Sequence, residues 1–197
     1  MSWKTAAVAG TFTIALAGTP LAVERIPRPV VPTNIEVSAD YKLFLVGHAI
    51  GTQNYVCTPG QTPSGYDWLF VGPQATVFVS DVDKRQILTH YQSKNLEQSG
   101  ALHATWQHSG DTSAVWAKRL DGSSDSQYVR SNAIEWLLLE VTGTEVGPTG
   151  GTKLSMTKRI QRINTVGGLK PPAADCTAAT VNSRRLVDYK ADYYFYQ

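Results

Sequence analysis

Three of the four histidines, His90, His103 and His108, fall close together in the chain, with His48 apart from them. Imidazole nitrogens bind zinc and copper well, and three converging on one point would make the metal centre of an enzyme or redox protein. The spacing works against this. His103 and His108 are an odd number of residues apart, so on one strand they face opposite ways, and a shared metal requires a turn between them. A competing role for His90 is a structural hydrogen-bonded pair with Trp106. No cofactor is expected beyond a divalent metal on these three histidines.

Paired carboxylates are the next candidates, since two of them can divide general acid and general base work in a hydrolase. Asp81 with Asp83 and Asp121 with Asp125 are close pairs, but each lies in a turn-rich stretch ("SDVD", "LDGSSDS") where Asp is favoured for local backbone hydrogen bonds. The signatures H-E-x-x-H, C-x-x-C, G-x-S-x-G and G-x-G-x-x-G are missing from the sequence. "GPTGGTK" at 147–153 superficially suggests a phosphate loop, but Thr152 stands where glycine should precede the lysine, and the stretch reads as a hairpin turn. No catalytic residue is assigned, and a non-enzymatic role is favoured.

Aromatic rings offer a different chemistry. Tyr66, Trp68, Tyr91 and Trp106 lie in or beside turn-rich segments, where planar faces stack on sugar rings and a neighbouring Asp67 accepts hydroxyl hydrogen bonds. Arg162 joins this set through an acidic polymer. The chain carries a net charge of only +2, which does not indicate nucleic acid. Residues 1–150 hold ten Lys/Arg against thirteen Asp/Glu, however, and residues 151–197 hold eight against three. In the basic part, Lys158, Arg159 and Arg162 read as the polar side of a strand.

The elements that must position these residues are short and extended. At 197 residues the chain suits one domain, and nine Tyr with five Trp favour β structure. Residues 1–22 have the pattern of a secretory signal peptide: Lys4, an uncharged run from Thr5 to Ala17, then small-residue endings. Residues 23–34, with three prolines in "RIPRPVVPTN", form an extended arm or linker, and residues 35–197 form the β domain. "NAIEWLLLEVTG" is expected as a buried strand. In "VDYKADYYFY", Val187, Tyr189, Ala191, Tyr193 and Phe195 point one way and Asp188, Lys190 and Asp192 the other. Strands recurring about every ten residues predict an all-β fold, a sandwich or a barrel-like domain of jelly-roll type. No later apolar run is long enough to span a membrane.

Two cysteines, Cys57 and Cys176, fit one disulfide in an exported protein, the alternative being two buried thiols.

The chain resembles the domain-of-unknown-function 3455 family of secreted fungal and bacterial proteins. The resemblance rests on "GTQNYVC" (51–57), "WLFVGPQATVF" (68–78), "THY" (89–91), "ATW" (104–106), "AIEWLLLEVTG" (133–143), "TKRIQRINTVGGLKPPAADC" (157–176) and "YKADYYFY" (189–196). Two departures stand out: Glu135 before Trp136, where proline is usual, and a longer, His-containing stretch between His90 and Trp106. The resemblance implies proteins of appressoria or cell surfaces and brings no catalytic mechanism.

The expected function is therefore a secreted surface or matrix protein that binds cell-wall or matrix polysaccharide through its aromatic residues. The alternatives are the histidine metal protein and a self-associating structural subunit, a homo-oligomer built through the basic strand and the Pro-rich arm.

Overall fold

The computed structural model describes Met1 and residues 26–60, 62–95 and 98–197. The signal peptide expected at residues 1–22 lies, Met1 apart, outside them, as do the first three residues of the Pro-rich stretch.

Eight strands run through the described residues: β1 (Leu43–Pro59), β2 (Tyr66–Phe78), β3 (Gln86–Asn95), β4 (Ala101–His108), β5 (Ala114–Ser123), β6 (Trp136–Glu145), β7 (Arg159–Gly167) and β8 (Arg184–Tyr196). Each pairs antiparallel with its neighbours in sequence, and β8 pairs back onto β1, closing the sheet into a barrel. The all-β expectation holds, and its form is a barrel rather than a sandwich. A jelly roll needs connections that cross between two sheets, whereas every hydrogen-bonded neighbour here is next in chain order or joins the two ends. Closure leaves no exposed sheet edge along the β1–β8 seam, where Leu45 to Val56 pair with Phe195 to Arg184.

The barrel interior is filled from all eight strands. Ala49, Val77, Leu88, Trp106, Val115, Leu137, Ile160 and Phe195 belong to one buried cluster. The alternation read in β8 is confirmed: Tyr189, Ala191, Tyr193 and Phe195 are all buried in that cluster.

A second buried layer covers part of the outer wall. Trp136, Leu138, Ile163, Tyr196 and Leu43 pack under Ile35, Val37 and Val129, with Val31 alongside. β6 is apolar at consecutive positions for this reason: Leu137 and Leu139 face inward, while Trp136 and Leu138 are buried from outside. The buried Gln161 amide donates to the Ile35 carbonyl (2.7 Å) and its oxygen accepts from the Tyr196 hydroxyl. Arg28 donates to the carbonyls of Val37 and Tyr41, and its guanidinium lies over the Tyr196 ring. The described part of the Pro-rich stretch is thus fastened to the wall.

The Cys57–Cys176 disulfide is present, with Cα atoms 5.4 Å apart, and no free cysteine remains. It ties β1 to the connection between β7 and β8, and is buried beside Trp68. "GPTGGTK" lies in the turn-containing connection between β6 and β7, where Gly150 donates to the Gly147 carbonyl. That connection docks on the β4–β5 turn: Asp111 accepts the Lys153 N–H (2.7 Å) and Ser113 Oγ accepts the Leu154 N–H (3.1 Å). No helix of the described residues is long and apolar enough to cross a membrane.

Candidate functional site

Side chains alternate along each strand, so every second residue enters the barrel. On β7 this rule carries Ile160 inward and Arg162 with it, opposite Leu137 of β6 and Tyr193 of β8. On β4 it carries Trp106 inward, opposite His90 of β3 and Val115 of β5. On β1 it carries Gln53. These side chains surround a cavity of about 240 Å³. Phe70 and Leu102 also line it and are 45% and 59% exposed, so the cavity reaches the surface at the β2 and β4 walls.

Several polar atoms of the lining side chains are short of partners. Among the described residues, Gln53 Nε2, His103 Nε2, Trp106 Nε1 and Arg162 Nε are buried and make no hydrogen bond. An unpaired buried donor costs about 1–3 kcal/mol, so three around one cavity, Gln53 Nε2, Trp106 Nε1 and Arg162 Nε, are an unusual concentration. Indole and guanidinium nitrogens only donate.

Charge at the site is one-sided. Arg162 Nη2 donates to the Glu135 carbonyl (3.0 Å), and the guanidinium also reaches the Tyr193 hydroxyl. It forms no ion pair among the described residues, whereas Lys118 and Arg119, also in the lining, pair with Glu140 and Glu135. No Asp or Glu belongs to the lining. Burial pushes the His90 imidazole down to about 3, and the charge on Arg162 adds to the effect. The neutral ring must donate from Nδ1 to the Thr105 carbonyl (2.9 Å), leaving Nε2 as an acceptor. Burial raises the Tyr193 and Tyr189 phenols, whose hydroxyls lie 3.4 Å apart, so both stay protonated.

The residues singled out from the sequence are dispersed. Trp106 and Arg162 line the cavity. Trp68 is 2% exposed beside the disulfide, with its indole N–H on the Pro172 carbonyl (3.1 Å) and Tyr66 packed against it. Asp67 accepts from Lys170 Nζ (2.6 Å), which holds its carboxyl below the ordinary value. Tyr91 is half-buried on β3, next to the inward-facing His90, and donates to Gln107. These six do not form one exposed aromatic platform. Of the candidate metal ligands, His90 and His103 line the cavity, whereas His108 Nδ1 accepts the N–H groups of Gly110 and Asp111 in the β4–β5 turn. Among the described residues no three His, Cys, Asp or Glu side chains are grouped to hold a metal ion. His90 and Trp106 do pair, by ring stacking at 4.2 Å rather than through a hydrogen bond.

Asp83 and Asp125 serve local turns, accepting the N–H groups of Arg85 and Gln127, and Asp121 accepts those of Asn34 and Gly122. Gln53 was not singled out from the sequence, although it shares the alternation of Ala49 and Cys57 on β1. Arg162 was grouped with the outward basic residues, and its parity with Ile160 is the signal that places it inside.

No curated protein and no solved structure matches the chain. The profile of a family described as a protein of unknown function (DUF3455) matches residues 38–197, the whole barrel from β1 to β8, and the chain therefore belongs to the DUF3455 family.

Proposed function

We propose that this chain is an exported, non-enzymatic binding protein whose barrel cavity takes up one small, acceptor-bearing molecule. The observation that carries this reading is the pair of orphaned donors, Trp106 Nε1 and Arg162 Nε, on two side chains that line one cavity. An eight-stranded barrel has an interior wide enough either to be filled by side chains or to hold one small ligand. At about 240 Å³ the cavity is on the scale of one small molecule rather than of a polymer. Within the earlier polysaccharide expectation, this favours a single sugar unit or chain end over stacking along an exposed surface, because Trp68 and Trp106 are both buried. The buried disulfide supports export. A non-enzymatic role is supported by a lining without carboxylate, thiol or aliphatic hydroxyl, and by a His90 held neutral.

The test is to fill the space. Ala104 lines the cavity, and Ala104→Phe places a ring in it. Native mass spectrometry and thermal-shift screening of small polar molecules are expected to find ligands for the wild-type chain that the folded A104F protein loses. Ligands that bind both proteins equally would overturn the cavity as the site.

A further inference from the structure

We propose that the ligand of this cavity is a small monocarboxylate, its carboxylate held by the guanidinium of Arg162 and the indole N–H of Trp106. The proposal rests on the cavity being a ligand site and specifies the class of molecule it takes.

Three observations converge on a carboxylate. The first is donor character: Trp106 Nε1 and Arg162 Nε can only donate, and Gln53 Nε2 is a third donor without a partner. A ligand that satisfies them must present several lone pairs close together, which a carboxylate does with two oxygens. The second is charge. Lys118 and Arg119 are each matched by a glutamate, so the lining carries one unmatched positive charge, that of Arg162. One cation matches a monoanion and leaves half the charge of a phosphate dianion uncompensated. The third is the remainder of the wall. Phe70, Leu102, Leu137 and Leu139 line the same cavity, so an apolar or ring-shaped body fits beside the charged head. Arg162 is also pre-oriented. Its Nη2 is anchored on the Glu135 carbonyl and the guanidinium also reaches Tyr193, leaving Nε without a partner. Fixing the fork before the ligand arrives lowers the ordering cost of binding.

Three carboxylates share this head and differ in body: benzoate, octanoate and glucuronate. Their neutral counterparts are benzamide, octanamide and glucose. Isothermal titration of the disulfide-bonded chain at pH 7 is expected to show at least one carboxylate binding about tenfold or more tightly than its neutral counterpart, the scale of one charge-assisted hydrogen-bonded contact. Which of the three pairs shows the preference identifies the body. In Arg162→Met that preference disappears, the carboxylate weakening about tenfold while the neutral counterpart is unchanged. If R162M does not fold, the wild-type comparison of each pair decides alone. Neutral molecules binding as tightly as all three carboxylates would overturn the monocarboxylate and leave the cavity as a site. A wild-type chain that binds none of the six, nor any molecule in the wider screen, would overturn both readings. Carboxylate binding untouched in a folded R162M protein would remove Arg162 from the site.

Discussion

His90 lies flat on Trp106: the two residues are cross-strand partners on β3 and β4, their ring centroids are 4.2 Å apart and their planes are within 9° of parallel. The Tyr193 ring meets both edge-on, at 5.0 Å from His90 and 5.2 Å from Trp106. This three-ring unit forms one wall of the cavity and sets how the barrel responds to acid.

His90 titrates at about 3 in the folded protein against 6.5 when exposed. Folding therefore favours its neutral form, and the stability this contributes is complete above pH 6.5 and is lost progressively as the pH falls toward 3. His108, also lowered by burial, acts in the same direction. Asp111 adds no pH dependence above its exposed value of 3.8, because its stabilisation is fully present there and is lost only as the pH falls from 3.8 toward 2. Desolvation acts to raise it, but hydrogen bonds from Ser113 and the Lys153 N–H outweigh that and hold it at about 2. Melting temperatures measured from pH 7 to pH 4 are expected to fall in the wild type and to fall less in His90→Phe. An equal slope in a folded H90F protein would contradict the assignment.

The disulfide spans 119 residues of sequence, and a loop that long is worth about 4 to 5 kcal/mol in the chain-entropy account. Cys57→Ala with Cys176→Ala, or reduction of the wild type, is expected to lower the melting temperature by roughly 10 °C or more. Buried beside Trp68, the bond is also expected to react slowly with mild reductant in the folded state. Calorimetry with and without reductant checks the first point, and thiol labelling checks the second.

Ile35 is fully buried between the polypeptide that precedes β1 and the outer wall of the barrel. Ile35→Ala is expected to cost about 2 to 5 kcal/mol, as for a core position, although the residue lies outside the barrel. Val30, 81% exposed on the same stretch, serves as the control and its change to Ala is expected to be nearly silent. Urea unfolding of the two variants separates them, and equal midpoints would show that the preceding segment does not stabilise the domain.

Gly167 ends β7 with φ of +70°, and a Cβ there would sit 2.4 Å from the Asp188 carbonyl oxygen. Gly150 has φ of +83° and open space around it. Gly167→Ala therefore combines a strained backbone with a clash against a neighbouring strand, and is expected to cost more than the ~1–2 kcal/mol of the left-handed conformation alone. Gly150→Ala is expected to cost only that conformational part. Comparing their unfolding midpoints tests whether the β7–β8 junction is as tight as the geometry indicates.

Much of this architecture is legible in the sequence, and the unreadable part has one physical cause. The β8 alternation from Val187 to Phe195, the strand at Trp136 and the Cys57–Cys176 bridge all follow from local pattern or simple pairing. Period-two alternation separates two faces but does not say which is inside. In this barrel part of the outer wall is also buried, so Gln161, Ile163 and Tyr196 are as sheltered as their inward neighbours Ile160 and Phe195. Arg162 consequently reads as a surface charge until Ile160 is known to face the interior. Closure is equally hidden, since the β1–β8 pairing joins segments more than a hundred residues apart. The histidines looked related by proximity in the chain, but the hairpin geometry sends His90 into the cavity and His108 into a turn.

The most direct test of the barrel interior as a binding site reads the tryptophan indole N–H resonances by nitrogen–proton NMR, with Trp106 assigned through Trp106→Phe. The Trp106 N–H has no partner, whereas those of Trp68 and Trp116 are held by the Pro172 carbonyl (3.1 Å) and Ser93 Oγ (2.8 Å). Titration with benzoate, octanoate and glucuronate, each beside its neutral counterpart, is predicted to move the Trp106 resonance with at least one of these six molecules while Trp68 and Trp116 stay in place. A Trp106 resonance unmoved by all six, or shifts confined to Trp68 and Trp116, would contradict the account.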